Sequence, residues 1–272
     1  MRIFVITKKS LIIAACVLCV ILLVLIVWLF FLDGSATAVS TSASAYGDNY
    51  ERVVLAGRKK EVPVYCVERT DKVIALTIDA AFEDDKTDFI LETLKKHDVK
   101  ATFFLCGFWA EKYPDKVRAM VQDGHVVGNH SATHPHMASM QAGAIEKELA
   151  AFEKVVEPLI GARTTLFRAP YGEYNDTVIL TARSLGYEVV QWDVDTVDWR
   201  EERSAQDILD TVLPALKPGS IILCHNNGYQ IKEYLPTLLE TAQAEGYTFV
   251  TVDKLLLEGE TIIDVNGMQK AA

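Results

Sequence analysis

The stretch VIALTID, residues 73–79, decides the fold: it is an apolar, β-branched run that ends in a single aspartate. Near-continuous apolar runs of this length are typical of strands that are buried on both faces of a parallel sheet. Helical patterns separate it from six further runs of the same kind: ATFFLC (101–106), HVVGNH (125–130), TTLFRAP (164–170), YEVVQWDV (187–194), SIILCH (220–225) and YTFVTV (247–252).

The alternation of strands and helices predicts an α/β fold with a parallel sheet covered on both sides. The clearest helical pattern puts a row of apolar side chains on one face, namely Ile145, Leu149, Phe152, Val156 and Leu159. An open doubly wound sheet and a barrel both fit this alternation. Because the chain lacks the glycine fingerprint of dinucleotide-binding sheets, we expect a (β/α) barrel of about seven parallel strands, complete or incomplete.

A different kind of segment comes before these repeats. Residues 10–32, SLIIAACVLCVILLVLIVWLFFL, carry no charge and are long enough to cross a bilayer as one helix. Lys8 and Lys9 precede the run and Asp33 follows it, which places the N-terminus in the cytoplasm and the rest outside the cell membrane. The small-residue sites ATA (36–38) and ASA (43–45) leave a cleaved signal peptide as the alternative.

The length of the apolar run favours an uncleaved, single-pass anchor over a signal peptide. A stretch rich in Ser, Ala, Thr and Gly follows the run and indicates a flexible linker. We therefore predict six segments: a cytoplasmic N-terminus (1–9), a transmembrane signal-anchor (10–32), a linker (33–50), a lead-in segment (51–71), an extracytoplasmic α/β domain (72–257) and a C-terminal tail (258–272).

The charge balance of the chain bears on its partners. It has 27 basic and 37 acidic residues, a net charge of −10. Such a surface repels nucleic acid and anionic lipid, so we exclude both as ligands and expect membrane contact only through the N-terminal helix. Outside the anchor, Cys66, Cys106 and Cys224 stand singly in apolar surroundings without metal-site spacing, which predicts buried free thiols.

Titratable or cationic side chains stand at or near the ends of five predicted strands. Asp79, His130, Arg168 and His225 end or nearly end four of them, and Asp198 lies just past the fifth. Active sites of parallel α/β folds form where strands run out into loops, so we expect these side chains to meet. Any one of these residues alone would be an ordinary cap or surface residue at a strand end. Five such residues at five strand ends predict a functional site.

The residue types suggest a metal-assisted hydrolase. The segment HSATH (130–134) has two histidines four apart, and the proline that follows favours a loop there over a helix. Two imidazoles with the nearby Asp79 carboxylate suit a divalent metal, which can lower the pKa of water to about 7. Asp79 would take a proton from the attacking water, and His225 would protonate the leaving amine. A backbone N–H near Tyr171 would help to hold the oxyanion.

Five motifs in order resemble the polysaccharide deacetylases of the NodB-homology type, carbohydrate esterase family 4. They are TIDAAFEDDKT (77–87), HSATH (130–134), RAPYG (168–172), DTVDW (195–199) and IILCH (221–225). The resemblance covers roughly residues 72–257. It implies a distorted barrel that removes N-acetyl, and sometimes O-acetyl, groups from polysaccharides with the help of a divalent metal, zinc first and manganese or cobalt as alternatives.

The resemblance also implies a role for each matching position. The catalytic set would be Asp79 as base, Arg168 as its partner, His225 as acid and Asp198 as the carboxylate that orients the acid. His130 and His134 would be metal ligands. Tyr171 would supply the oxyanion N–H, while Trp199 and Leu223 would form walls of the acetyl pocket.

One position departs from the family pattern. The family usually has two adjacent aspartates in its first motif, the second a metal ligand, but this chain has Ala80 there. Asp84, from the loop that follows, is the replacement that we expect, with Glu83, Asp85 or water as alternatives. The variant DAA sequence resembles that of membrane-anchored and sporulation-associated relatives in Gram-positive bacteria.

The expected enzyme is therefore a peptidoglycan N-deacetylase, a hydrolase acting on carbon–nitrogen bonds other than peptide bonds. Its substrate would be N-acetylglucosamine or N-acetylmuramic acid of the cell wall, outside the membrane. One alternative is a catalytically weak or inactive homologue with a glycan-binding or regulatory role. The other is a deacetylase of chitin-type oligosaccharides or acetylxylan.

Overall fold

The computed structural model describes residues 60–272 of the chain. The predicted cytoplasmic N-terminus, transmembrane anchor, linker and most of the lead-in segment lie outside these residues. Within residues 60–272, no helix combines the length and the apolar character that crossing a bilayer requires.

Eleven strands occur in the described part of the chain. In chain order they are β1 (Cys66–Val67), β2 (Val73–Ala80), β3 (Thr102–Leu105), β4 (Val126–Asn129), β5 (Leu166–Phe167), β6 (Glu188–Val189), β7 (Val194–Asp195), β8 (Ile221–His225), β9 (Thr248–Val250), β10 (Thr261–Ile263) and β11 (Met268–Ala271). Strand β2 is buried over nearly its whole length, as its apolar sequence predicts.

The main sheet has the order β6-β5-β4-β3-β2-β8-β7, with β9 pairing β2 beside this path. Every pairing within it is parallel. The predicted α/β fold with parallel strands is thus confirmed, and the sheet forms a distorted half-barrel. Parallel pairing brings the carboxyl ends of the strands to one edge, where the predicted site residues lie.

The fifth predicted strand, 187–194, is wrong as one element. It forms two short strands, β6 and β7, which lie at opposite ends of the sheet path. Val64, from the lead-in segment, lies beside the residues between them: its N–H donates to Val189 O at 2.8 Å, and its C=O accepts from Gln191 N at 2.7 Å. This contact over more than 120 residues occupies the backbone groups that a continuous strand would need.

Eight α-helices cover the sheet: α1 (Thr87–Lys96), α2 (Gly107–Lys112), α3 (Pro114–Gln122), α4 (Ala142–Ile160), α5 (Asp176–Ser184), α6 (Ala205–Ala215), α7 (Ile231–Ala244) and α8 (Val252–Leu255), counted within residues 60–272. The predicted apolar face of α4 is buried, apart from the partly exposed Leu159. Ser204 caps α6 in a capping box with Asp207. The buried faces of these helices pack against the strands of the sheet and form a hydrophobic core with them.

The predicted C-terminal tail contains an antiparallel hairpin, β10 and β11, and β11 pairs in parallel with β1. The hairpin turns at Gly267, whose φ is +80°. A Cβ there would lie 2.3 Å from the Tyr65 ring, so only glycine fits. The two ends of the described chain thus form one small sheet.

The three cysteines of the described residues, Cys66, Cys106 and Cys224, are buried and free. The prediction of buried free thiols is confirmed for them.

Candidate active site

Asp79 and His225 lie side by side at the carboxyl ends of β2 and β8. The register of these strands pairs the two residues directly. Residues opposite each other on neighbouring strands project to the same face of a sheet. One face of the barrel end therefore carries both a carboxylate and an imidazole.

A buried arginine fixes the Asp79 carboxylate. Arg168 is fully buried, and its Nη1 donates to Asp79 Oδ1 at 2.7 Å and to Thr77 Oγ1 at 2.9 Å. Its Nη2 donates to Gln191 O at 3.0 Å. Burial raises the pKa of Asp79, but the charge of Arg168 above all, together with the neighbouring His130 and His225, outweighs burial and holds this pKa below its usual range. Asp79 is therefore ionised at neutral pH and can accept a proton.

A second carboxylate orients His225. Asp198 is fully buried, and its Oδ1 lies 2.7 Å from His225 Nδ1. Because a carboxylate oxygen accepts hydrogen bonds, the Nδ1–H of the imidazole donates in this contact. Burial lowers the pKa of His225, but the hydrogen bond and charge of Asp198 outweigh burial and raise this pKa overall. His225 is thereby favoured in the protonated form that a general acid needs.

Two residues that sequence reasoning missed hold Asp198 in place. The Tyr234 hydroxyl donates to Asp198 Oδ2 at 2.6 Å. A Cβ on Gly228 would lie 2.1 Å from the same oxygen, so glycine is required there. Tyr234 lies on α7, 36 residues beyond Asp198, and no sequence spacing marks it.

The HSATH segment forms a loop, as predicted, and hydrogen bonds brace it. Asn129 Oδ1 accepts from Ser131 N at 2.8 Å, and Ser131 Oγ accepts from His134 N at 2.9 Å. Glu148, on α4, accepts two further backbone N–H groups of the loop. Ser131 and His134 have positive φ values of 70° and 58°. These bonds hold a backbone that non-glycine residues rarely adopt, which marks the loop as functional.

The donor atoms of this loop fit a divalent metal. His130 Nδ1 lies 2.8 Å from Arg168 O, so Nδ1 carries a proton. Burial lowers the pKa of His130, which favours the neutral form with a lone pair on Nε2. That Nε2 is 3.6 Å from Asp79 Oδ2, beyond hydrogen-bond distance. His134 Nδ1 is buried and has no partner among the described residues. Burial and the neighbouring His130 lower the pKa of His134 to about 4, leaving a neutral imidazole. Two such imidazoles are suitable zinc ligands.

A cavity of about 570 Å³ joins these groups. Its lining includes seven predicted site residues: Asp79, His130, His134, Tyr171, Trp199, Leu223 and His225. Arg168 and Asp198 lie behind Asp79 and His225. Among the described residues, Asp84 is not part of the lining, and the buried Ala80 offers only a methyl group. Asp84 as a metal ligand stays a prediction.

Tyr171 stands at the rim with a strained backbone. Its φ is 59°, directly after Pro170 in RAPYG. The ring stacks on His136 at a centroid distance of 4.3 Å and meets His134 edge-on at 4.4 Å. His136 Nδ1 also forms a hydrogen bond with Glu173 Oε2 at 2.9 Å. His136 thus supports the outer face of Tyr171.

Trp192 and Asp195 also line the cavity. Asp195 is one of the two acids that follow the fifth predicted strand, whereas sequence reasoning missed Trp192. Trp192 Nε1 donates to Asp195 Oδ2 at 3.1 Å, and Val197 N donates to Asp195 Oδ1 at 2.7 Å. Burial raises the pKa of Asp195. Trp192 belongs to the segment that was expected to be one strand, and Asp195 directly follows that segment as the last residue of β7.

Comparison with known proteins agrees with this geometry. A family model described as Polysaccharide deacetylase matches residues 67–190. Over 199 residues the chain is 32% identical to the peptidoglycan-N-acetylmuramic acid deacetylase PdaA of Bacillus subtilis, covering 72% of this chain and 76% of that protein. It is 36% identical to a peptidoglycan-N-acetylglucosamine deacetylase of Bacillus cereus, covering 67% of each. The chain belongs to the polysaccharide deacetylase family.

A third relative of similar fold is described as a pseudoenzyme. The structure of BA3943 from Bacillus anthracis, described as a CE4 family pseudoenzyme, matches with a TM-score of 0.68 and 32% identity. The match covers 71% of this chain and 68% of that one. A BA3943 mutant with restored enzymatic activity matches equally well, with a TM-score of 0.68. This fold thus exists in catalytic and non-catalytic forms.

The Asp198–His225 pair predicts a pH effect. Because the acid must be protonated and its pKa is raised, kcat/KM should fall on the alkaline side only above about pH 6.5, the ordinary histidine value. Asp198→Asn removes the charge and should move this limb to lower pH by on the order of one unit. The pH profile of acetate release measures the shift. Asp195 acts on His225 more weakly than Asp198 does, so Asp195→Asn should move the alkaline limb less. An unmoved alkaline limb in Asp198→Asn would refute the assignment of His225 as the general acid.

Proposed function

We propose that this chain removes N-acetyl groups from the glycan strands of peptidoglycan, outside the cell membrane and with a divalent metal. One observation carries the proposal: an ionised carboxylate paired with a buried arginine lies next to a histidine whose pKa a second carboxylate raises. Both groups face one cavity, which two neutral imidazoles also line. This is the acid–base arrangement that amide hydrolysis requires.

Each residue has a defined task in the hydrolysis. Asp79 accepts a proton from the water that attacks the acetyl carbon, while Arg168 holds its carboxylate in place. The Tyr171 N–H donates to the oxyanion. His225 then gives its Nε2 proton to the leaving amine, and Asp198 stabilises the imidazolium until that transfer. Trp199 and Leu223 line the cavity beside the acetyl methyl group.

His130 and His134 would hold the metal, zinc in the first place, with manganese and cobalt as alternatives. When bound, a divalent cation makes water more acidic and stabilises negative charge on a carbonyl oxygen. The chain's own contribution is the neutral state of the two imidazoles and their fixed orientation.

The substrate class follows from the opening of the cavity and from the relatives. Large aromatic side chains stand exposed around the site, including Phe82, Tyr171, Trp199 and Tyr229. Their flat apolar faces suit packing against sugar rings. The relatives that act on peptidoglycan N-acetyl groups favour this polymer over chitin-type chains or acetylxylan.

The proposal is tested by acetate release from a substrate panel. The full-length chain, supplied with zinc, is incubated with peptidoglycan, chitooligosaccharides and acetylxylan. We expect the highest rate on peptidoglycan. A higher rate on either other polymer would assign a different substrate to the same chemistry.

The second candidate is a homologue that binds glycan without hydrolysing it. Ala80 at the usual ligand position and the likeness to the pseudoenzyme favour this reading. It predicts retention of the chain on insoluble peptidoglycan with no acetate release at any metal concentration. The intact Asp79–Arg168 and Asp198–His225 pairs favour catalysis instead.

We also propose that residues 10–32 anchor the chain, with residues 72–257 as the catalytic domain outside the membrane. An uncharged run of this length partitions into the bilayer core. Full-length protein should therefore sediment with membranes, while residues 46–272 alone should stay in the supernatant. Recovery of only a soluble form that begins near residue 39 or 46 would show a cleaved signal peptide.

A further inference from the structure

We propose that the Cys106 thiolate is the third protein ligand of the metal, together with His130 and His134. This inference rests on the metal dependence proposed above and assigns the ligand that Ala80 leaves missing. It replaces the expectation that the loop acid Asp84 fills this place.

The three side chains already form a cluster. One sulfur and two imidazole nitrogens, one from each residue, all lie within 4.8 Å of one another. In a tetrahedral zinc site, bond lengths of about 2.0–2.3 Å place such atoms about 3.4–3.6 Å apart. The cluster therefore needs only small side-chain movements to close around an ion. No other group of three potential ligands is found within residues 60–272.

The sheet explains why Cys106 reaches the site. Asp79 pairs with Phe104 on the neighbouring strand β3. Cys106 is two residues beyond Phe104 and directly follows the end of β3. Its N–H donates to Ala80 O at 2.9 Å. The backbone of Cys106 thus lies next to Ala80, the position where the family carries its second aspartate.

A glycine lets this strand end approach the histidine loop. Gly107 N donates to Ser131 O at 3.0 Å, and a Cβ on Gly107 would lie 3.0 Å from Ala132 Cα. The backbones that carry Cys106 and His134 are therefore in contact. Any side chain at Gly107 would push the two apart.

A purely structural role is the competing explanation. Cys106 is fully buried, and its thiol donates to His130 O at 3.4 Å. Buried cysteines often act as small apolar residues. Cys66 and Cys224 are equally buried, yet neither belongs to a cluster of ligand atoms. The position next to two imidazoles distinguishes Cys106 from them.

The ligand type predicts which metal is preferred. On binding, the Cys106 thiol gives its proton to solvent, and the sulfur electron pair forms the bond to the metal, with no change of oxidation state. Thiolate with two imidazoles suits zinc and cobalt, whereas carboxylate suits manganese and magnesium. Replacement of a carboxylate by a thiolate should therefore shift this chain towards zinc and cobalt and away from manganese.

Cobalt provides a readout that does not depend on activity. The full-length chain, reduced and stripped of metal, is titrated with Co²⁺ while its absorption spectrum is recorded. A thiolate bound to Co²⁺ gives an intense near-ultraviolet charge-transfer band that imidazole and carboxylate ligands lack. We expect this band at one equivalent of cobalt in the wild type.

Variants identify the sulfur. Cys106→Ala and Cys106→Ser should both lose the band, while Cys66→Ala, which removes an equally buried thiol, should keep it. Loss of a group that only supports a ligand costs about 10- to 100-fold in metal affinity, so loss of the ligand itself should raise the cobalt Kd at least about tenfold. Asp84→Ala should leave both band and Kd unchanged. Thermal unfolding of each metal-free variant checks that it is folded. If Cys106→Ala does not fold, Cys106→Ser serves as the test variant in its place.

Each outcome decides the question. Binding of cobalt without the band, a band that survives in Cys106→Ser, or no cobalt binding by the wild type would overturn the proposal. A weakened Kd in Asp84→Ala with no band in the wild type would assign the ligand to Asp84. Acetate release is measured separately: a band without acetate release would refute the proposed function alone, and acetate release without a band would refute Cys106 alone.

Discussion

Asp79→Asn should lower the rate of acetate release from peptidoglycan at least about a hundredfold, the lower end of what a positioned general base contributes. The substitution keeps the size of the side chain and removes its ability to accept a proton at neutral pH. Acetate release under saturating substrate, with wild type and variant compared at equal concentration of folded protein, measures the effect.

The same substitution carries a stability cost that must be separated from the catalytic one. Arg168 is fully buried and pairs with Asp79. Removing one partner of such a pair destabilises a protein by about 3–5 kcal/mol because the other charge stays buried. Thermal unfolding therefore accompanies the assay, and Asp195→Asn in the same cavity is the matched control. A folded Asp79→Asn variant with near-full activity would show that another group is the base.

His225→Ala should also lower turnover at least about a hundredfold, since the leaving amine then has no positioned proton donor. The effect should appear mainly in kcat, because His225 acts on charge that develops during bond cleavage. This substitution also leaves the fully buried Asp198 without its imidazole partner, so thermal unfolding of the variant accompanies the assay. Steady-state kinetics on peptidoglycan fragments measure kcat and KM separately.

Two other histidines serve as controls for this prediction. His97 ends α1, and His136 stacks on Tyr171 at the rim. His97→Ala should leave turnover unchanged, and His136→Ala should change it little. A loss in His136→Ala as large as that in His225→Ala would mean that the rim histidine takes part in proton transfer.

The sequence was sufficient for the features that depend on local pattern. Apolar runs that end in Asp79, His130 and His225 predicted parallel strands whose carboxyl ends meet at one site. The proline after HSATH predicted a loop there. These signals lie within short stretches of sequence. Because the strands pair in parallel, their carboxyl ends meet at one edge of the sheet, and the residues at those ends lie close together.

Features that depend on distant contacts could not be read in this way. Val64 occupies the gap within the expected fifth strand, although more than 120 residues separate them. Tyr234 holds Asp198 from a helix, and the tail hairpin finds its partner in β1 at the other end of the domain. Each of these depends on how distant segments pack, which no periodicity encodes.

The Cys106 cluster fails to show in the sequence for the same reason. Its ligands come from the end of β3 and from a loop 24 to 28 residues later, a spacing that matches no metal motif. Only the sheet register and the contact of Gly107 with the histidine loop bring them together. A thiol interpreted as a core residue thus becomes a ligand candidate.

The central claim, that this chain hydrolyses N-acetyl groups with Asp79 as base, is tested most directly by counting both products. Zinc-loaded full-length protein is incubated with purified peptidoglycan, and released acetate and newly formed sugar amines are measured together. The account predicts equal amounts of the two in the wild type and at least about a hundredfold less of both in folded Asp79→Asn. Acetate without matching amine, no acetate at all, or equal yields from the two proteins would contradict it.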